Sequence, residues 1–305
     1  MSVALSAEKV AAVNPAAAKL ARRPNYRLRR GLLEAAAVLL AVVLFIWSML
    51  PIYNMLLMSL DGHNDLFSGA IWPPAPTLEP FRVVVTEGFW YLEYFWRQYA
   101  NSIYVGVGTT FFTLLIGSLT SFTVGRMHLR KGWLITNAAL LTYVIPASFL
   151  AIPFYRIMQM YGLGNTLWAV IAAYVTFGTP YAIFIFQQYG KSIPMDLDES
   201  ARIDGASPWQ VYLHIYLPLM APALVAVGTY ALLLAWNDFL FQFLLLSSTQ
   251  RMTVPVALAQ FFNSDEAPWN YMMATAIVYS IPPVVIYYLF RNRMTSGLTM
   301  GGVKG

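Results

Sequence analysis

One short motif has the residue types of a phosphate-binding loop: Gly190, Lys191 and Ser192. Such loops hold nucleotide phosphates with backbone N–H groups and a lysine, and the complete pattern has a second glycine five residues before Gly190. That position is Ile185, and the residues before it form a long apolar run rather than a recognisable strand. We therefore do not expect this chain to bind a nucleotide itself.

The remaining reactive residue types are too few or too scattered for a catalytic or metal site. The chain contains no cysteine, which excludes disulfides, thiolate metal sites and a cysteine nucleophile. Its three histidines, His63, His128 and His214, lack the spacing of metal ligands. No Ser/His/Asp set or carboxylate pair stands out either. The sequence predicts no catalytic residue, no metal and no cofactor bound by this chain, so an enzyme is not expected.

The composition is that of a membrane protein. Of the 305 residues, 58% are hydrophobic and 11% are charged, whereas soluble domains carry about 25% charged residues. A helix needs about 20 apolar residues to cross the hydrocarbon. Six stretches meet this length: Ala35–Leu60, Asn101–Val124, Trp133–Tyr155, Thr166–Phe186, Leu219–Leu246 and Tyr271–Phe290. The expected fold is an all-α membrane protein with six transmembrane helices.

The basic residues orient these helices. With the N-terminus in the cytoplasm, fifteen of the nineteen Lys and Arg residues fall inside. The four outside are Arg82, Arg97, Arg156 and Arg251. The positive-inside rule therefore predicts two cytoplasmic termini, and it explains the net charge of +5 without a nucleic acid partner. We expect a basic tail over residues 1–30 that lies near membrane lipid, a six-span domain over 31–290 and a cytoplasmic tail over 291–305.

The same orientation places a long patterned segment, residues 188–218 (hereafter the loop), in the cytoplasm. A helix start is marked by one proline and three acids: Pro194, Asp196, Asp198 and Glu199. Gly205 can take the positive φ of a sharp turn, and Ser207 followed by Pro208 begins a second helix. A helix pair of this kind either only links two spans or docks a cytoplasmic partner, and its charge and glycine turn favour docking.

Three motifs carry a resemblance to a known family. They are Glu199-Ser200-Ala201-Arg202-Ile203-Asp204-Gly205-Ala206 followed by Ile215-Tyr216-Leu217-Pro218, then Trp236-Asn237-Asp238-Phe239-Leu240, and the tail Gly297–Gly305. The first resembles the EAA loop of ABC-importer permeases, with Ser200 in place of an alanine. The other two are similar to permeases of the carbohydrate-uptake, maltose-transporter type. The resemblance covers about residues 30–305.

The resemblance implies a subunit that works in a larger assembly. Such a permease pairs with a second, related permease, with two ATPase subunits that bind ATP and Mg, and with an extracytoplasmic solute-binding protein, in the inner membrane of a bacterium or archaeon. Residues implied to couple to the ATPase are Glu199, Ser200, Ala201, Asp204, Gly205, Ala206 and Pro218, and tail residues implied to contact it are Gly301, Gly302 and Lys304. Glu199 and Asp204 either pair with ATPase bases or cap helices, and the sequence does not separate the two roles.

Trp236, Asn237 and Asp238 lie deep in the predicted fifth span. Polar residues at such depth usually face a bundle interior or a cavity, so they either line the solute path or form a hydrogen bond between helices. The aromatic residues Phe261, Phe262 and Trp269 of the following loop are suited either to stack on a sugar or to anchor the loop at the membrane surface.

Two other classes of membrane protein compete with the importer. A stand-alone, ion-coupled secondary transporter needs ionisable residues inside the membrane, and Asp238 is the one evident candidate. A channel or structural protein needs no energy input at all. The sequence does not identify the carbohydrate.

Overall fold

The computed structural model describes residues 26–62, 71–127, 129–263 and 268–299. Within these ranges every regular element is a helix, apart from an isolated bridge between Asp61 and Pro76. The predicted all-α class is confirmed. The chain divides into two compact units, Met1–Leu57 and Met58–Gly305.

The first helix, α1 (Tyr26–Ser59), begins inside the segment predicted as a tail and passes the boundary between the units. It has a long apolar stretch with Pro51 in its interior. The helices of the second unit are α2 (Glu79–Val85), α3 (Phe95–Arg126), α4 (Gly132–Leu141), α5 (Ala147–Met160), α6 (Leu167–Gly190), α7 (Asp196–Ile203), α8 (Pro208–Val211), α9 (Leu217–Leu219), α10 (Ala221–Asn237), α11 (Leu240–Leu245), α12 (Val254–Ala259) and α13 (Trp269–Thr299). A π-helical turn, Tyr212–Tyr216, joins α8 to α9, and short 3-10 turns lie at Trp90–Leu92, Thr142–Val144 and Gln260–Asn263.

Four helices of the described chain are long and apolar enough to cross a membrane, and two bent helix pairs bring the number to six if each pair is one span. The four are Arg29–Ser59, Trp90–Arg126, Leu167–Gly190 and Trp269–Arg291. The predicted third span, Trp133–Tyr155, is a bent pair of helices rather than one helix, because the chain bends by 102° between Val144 and Ala147. Ile145 is extended there, as a residue before proline usually is, and Pro146 begins the next helix.

The predicted fifth span, Leu219–Leu246, is likewise interrupted rather than a single helix. The chain bends by 77° where α9 meets α10. It then breaks after Asn237, where Asp238 is extended (φ −72°, ψ 141°), before it resumes as α11. The polar pair Asn237 and Asp238 therefore lies at a helix end rather than within a helix.

Close contact between α3 and α6 forms the centre of the second unit. A Cβ atom added to Gly117 would lie 2.7 Å from the Cβ of Ala182, so glycine is required for the two backbones to approach this closely. Around these helices, one buried apolar cluster contains Trp236, Phe261 and Tyr279. A second contains Phe122, Phe186, Val211, Tyr212 and Tyr216 and supports the loop. The loop and the helix break after Asn237, which carry the predicted site residues, thus each pack on a buried apolar cluster.

Candidate functional site

The loop forms the predicted helix, glycine turn and helix. Helix α7 has Asp196, Asp198 and Glu199 in its first turn and ends before Gly205, whose φ is +87°. The Ser207 hydroxyl accepts a hydrogen bond from the Gln210 N–H, and the Gln210 side chain accepts one from the Ser207 N–H. This reciprocal capping box fixes the start of α8. The glycine turn and the Ser207 cap, both predicted from sequence, are confirmed.

Most residues of the predicted coupling motif are exposed. Glu199, Ser200, Asp204, Gly205 and Pro218 are exposed, whereas Ala201 and Ala206 are half-buried against the cluster around Tyr216. No side chain caps the start of α7. Glu199 and Asp204 therefore present charge outward, next to apolar side chains that are also exposed.

Exposed apolar residues continue this surface. Ile203 is 86% exposed, and Leu197 and Trp209 are about half exposed. We call the exposed residues Leu197, Glu199, Ile203, Asp204 and Trp209 the loop face. Exposed apolar side chains with charged residues at their rim are typical of an interaction surface.

A buried ion pair beneath the loop was not predicted from the sequence. Asp198 Oδ2 lies 3.7 Å from Arg126 Nη1, and both side chains are almost fully buried. Arg126 also donates to the carbonyl oxygens of Gly190 and Ile193, at 3.1 and 3.0 Å. Successive residues of a helix point about 100° apart, so Asp198 faces inward while Asp196 and Glu199 face out. The sequence did contain one signal for this inward orientation. Asp198 and half-buried Ala201 are three residues apart, which places them on the same side of α7.

The break after α10 is held by side-chain hydrogen bonds. Asp238 Oδ2 accepts from the Tyr174 hydroxyl at 2.6 Å and from the Phe241 N–H at 3.1 Å, so the same carboxylate oxygen joins α6 and caps α11. This is a hydrogen bond between helices, one of the two roles expected for Asp238, and its partner Tyr174 lies in this chain.

The carbonyl groups freed by the break also find partners. The Gln242 side chain donates to the Ala235 oxygen at 2.7 Å, and the Tyr279 hydroxyl donates to the Trp236 oxygen at 2.7 Å. A helix can be interrupted in a membrane where such groups are satisfied by protein or face a water-filled cavity, and here protein groups satisfy them. Tyr279 is remote in sequence from Trp236, and the sequence around the break contains no local sign of that pairing.

The three predicted solute-path residues have different environments. Trp236 is buried, with its ring stacked on Tyr279 at a centroid separation of 4.6 Å. Asn237 is exposed and Asp238 is half-buried. Of the three, Asn237 is the one that is exposed.

The aromatic residues after α11 divide in the same way. Phe261 is fully buried beside Phe89 and Tyr91 and is not available to stack on a sugar. Phe262 is exposed and contacts Trp269 edge to face. The predicted tail contacts Gly301, Gly302 and Lys304 lie outside the described residues. Across the described ranges, no group of three His, Asp or Glu side chains is arranged to hold a metal ion.

Comparison with protein families gives one match of large extent. The model described as "Binding-protein-dependent transport system inner membrane component" matches residues 114–299, a range that includes the whole loop and the broken helix.

Individual proteins align over most of their length. The trehalose transport system permease protein SugB of Mycobacterium tuberculosis is 33% identical, covering 85% of this chain and 93% of that protein. The trehalose/maltose transport system permease protein MalG of Thermococcus litoralis is 31% identical, covering 91% and 98%. A solved structure of a bacterial ABC transporter involved in alginate import has a TM-score of 0.74 at 20% identity, covering 87% of this chain and 97% of that one, which shows a shared fold.

Proposed function

Since the chain belongs to the family of inner membrane components of binding-protein-dependent transport systems, we propose that it is the permease subunit of an ATP-driven importer of a sugar or related carbohydrate. It is a multi-pass membrane protein. Relatives at 31–33% identity are named for trehalose and maltose transport, which supports a carbohydrate as the solute. The chain supplies half of the translocation pore and carries no catalytic residue of its own.

The loop face is the observation that carries the proposal. A short helix with a glycine turn and a capping box holds acids and apolar side chains outward in a fixed geometry. Burying a side chain such as Ile203 in a partner contributes about 1.5–3 kcal/mol. We propose that this face docks on an ATPase subunit, with Glu199 and Asp204 close to basic residues of that subunit.

The complete assembly follows from the same proposal. If each bent pair is one span, the chain crosses the membrane six times, with both termini and the loop in the cytoplasm, as the distribution of basic residues favours. A second permease completes the pore, and two ATPase subunits bind ATP and Mg. A solute-binding protein delivers solute outside, which is supported by the family description of a binding-protein-dependent system. Tail residues Gly301, Gly302 and Lys304 reach the ATPase pair.

Ile203→Gln tests the docking surface. The protein is expressed with its two ATPase subunits and the second permease, purified through a tag on this chain, and assayed for bound ATPase. We expect the ATPase to co-purify with the parent chain and the Ile203→Gln variant to bind it about tenfold more weakly, because an apolar contact is lost. A parent chain that transports solute without any ATPase would instead indicate a secondary transporter.

Met160→Gln is the matched control for this variant. Met160 is apolar and 85% exposed, as Ile203 is, but it ends α5 and lies outside the loop. Its substitution should leave ATPase retention unchanged. Equal losses in the two variants would contradict docking through the loop face.

Asn237→Ala tests whether the chain contacts solute. Asn237 is the exposed polar residue at the helix break. Loss of its side chain should therefore weaken solute uptake through the intact complex by about fivefold, which corresponds to the loss of one hydrogen bond. The measurement is the concentration dependence of uptake into proteoliposomes with a saturating binding protein. Unchanged rate and concentration dependence would remove Asn237 from the solute path.

A further inference from the structure

The cytoplasmic end of α3 is attached to the loop at several points along its last turns. The Ser118 hydroxyl bonds the Tyr212 hydroxyl at 2.8 Å, and the Ser121 hydroxyl bonds that of Tyr216 at 3.0 Å. All four residues are buried. Further contacts are made by Arg126, the last residue of α3. A helix that is remote in sequence from the loop is therefore bonded to it by buried side chains.

Arg126 contacts both sides of the loop's first half. Its guanidinium donates to the carbonyl oxygens of Gly190 and Ile193 and to Met195 Sδ, and it lies 3.7 Å from the Asp198 carboxylate. In return, the Arg202 side chain donates to the Arg126 carbonyl oxygen at 3.4 Å. Arg126 thus contacts residues that precede α7, a residue within α7 and a residue near its end.

A buried ion pair of this kind is a costly way to gain stability. Removing two charges from water costs several kcal/mol per ion, and apolar residues of similar volume often serve equally well. In the described part of the chain, neither Asp198 oxygen accepts a hydrogen bond that would offset this cost. The charges instead fix one relative orientation of α3 and α7, because any sliding would leave an uncompensated charge buried.

Helix α3 extends from this joint to the helix break. It is continuous over 32 residues, which corresponds to about 48 Å. At its other end the Gln98 and Asn101 side chains donate to carbonyl oxygens of Thr249 and Met252, and Tyr99 contacts Trp236 edge to face. A displacement of Arg126 along the helix would therefore reach the segments on both sides of Asp238.

We propose that Arg126 and Asp198 are positioning residues that make α3 move as one body with the loop, so that α3 carries the movement of the loop to the helix break. This inference rests on the proposed function, since it supposes that an ATPase moves the loop. Neither residue belongs to the loop face or to the residues at the helix break. Their pairing sets how much of the loop's displacement reaches the pore.

Asp198→Asn provides the first test, in the complete complex reconstituted with its binding protein. We expect the variant complex to retain its ATPase subunits while stimulation of ATP hydrolysis by the loaded binding protein falls by about fivefold or more, a typical loss of coupling. Asp198→Glu, which keeps the charge, should restore most of the stimulation. Asp196→Asn is the matched control, because Asp196 is an exposed acid in the same turn, and it should behave as the parent. Full stimulation in Asp198→Asn overturns the inference alone, whereas a parent complex without ATPase overturns the proposed function as well.

The second test is a distance measurement that leaves the ion pair intact. The chain has no cysteine, so spin labels can be placed at Met127→Cys and Asp196→Cys, both at exposed positions. One rigid body predicts the same narrow distance distribution without nucleotide and with ATP trapped in the complex. Addition of Asp198→Asn should broaden the distribution. A shift between the two states in the chain with the intact pair would overturn the inference, even if Asp198→Asn fails to assemble.

Discussion

Replacement of Gly205 by aspartate should abolish solute uptake and binding-protein-stimulated ATP hydrolysis while membrane insertion persists. Gly205 has a φ of +87°, and an added Cβ would meet no atom of this chain within 4 Å. The substitution therefore costs about 1 kcal/mol of backbone strain, which is small against a typical folding stability of about 5–15 kcal/mol. The main effect is instead expected on docking through the loop face, because a new carboxylate beside Asp204 changes both the turn and its charge.

Gly162→Asp separates backbone strain from loss of docking. Gly162 also has a positive φ, +70°, and also has open space where a Cβ would be built. It lies in the turn after α5 rather than in the loop. The same substitution there should cost similar stability and leave transport near the parent level. Uptake assays and membrane fractionation of both variants provide the comparison, and normal uptake by Gly205→Asp would falsify the coupling role of the loop.

The second large effect is expected at the helix break. Asp238→Ala removes the acceptor of the Tyr174 hydroxyl, which is buried, and the cap of the Phe241 N–H. An unsatisfied buried hydroxyl and a lost cap together cost about 2–4 kcal/mol. We expect a clear fall in the thermal unfolding temperature of the detergent-solubilised complex, accompanied by a loss of uptake because α11 is no longer held in place.

A double-mutant cycle with Tyr174→Phe distinguishes a structural from a solute-binding role for Asp238. Tyr174→Phe removes one hydrogen bond and retains the carboxylate and its cap, so it should cost about 1 kcal/mol. If the pair acts structurally, the two substitutions will be non-additive in stability, and both will weaken uptake in proportion to the folded fraction. A solute-affinity loss confined to Asp238→Ala, with Tyr174→Phe silent, would assign the carboxylate to the solute path.

Features determined by local chain geometry were predictable from the sequence. The lengths of the apolar runs require a membrane, because nothing in a soluble chain of this size could bury them. The Gly205 turn and the Ser207 cap depend on backbone sterics and on hydrogen bonds between residues three positions apart. The family motif around Glu199 lies in the same local segment. These features therefore needed no knowledge of tertiary packing.

The helix break shows where such prediction ends. The apolar run from Leu219 to Leu246 has the composition of one continuous span. The broken helix is stabilised by Tyr174, which bonds the Asp238 carboxylate, and by Gln242 and Tyr279, which bond the carbonyl groups freed by the break. Two of these partners are more than 40 residues away in sequence from the groups they bond.

The buried ion pair, like the partners of the helix break, could not be predicted from neighbouring residues. The sequence by itself determined the class of protein, the loop and the turn within it, since each depends on composition or on neighbouring residues. Only the tertiary structure decided that Asp198, of the three acids that begin α7, turns inward to Arg126. Its partner comes from a helix 72 positions earlier in the chain, and such a pairing is set by how α3 packs on the loop. Burial and long-range hydrogen bonding depend on three-dimensional packing, and periodicity along the chain carries little information about them.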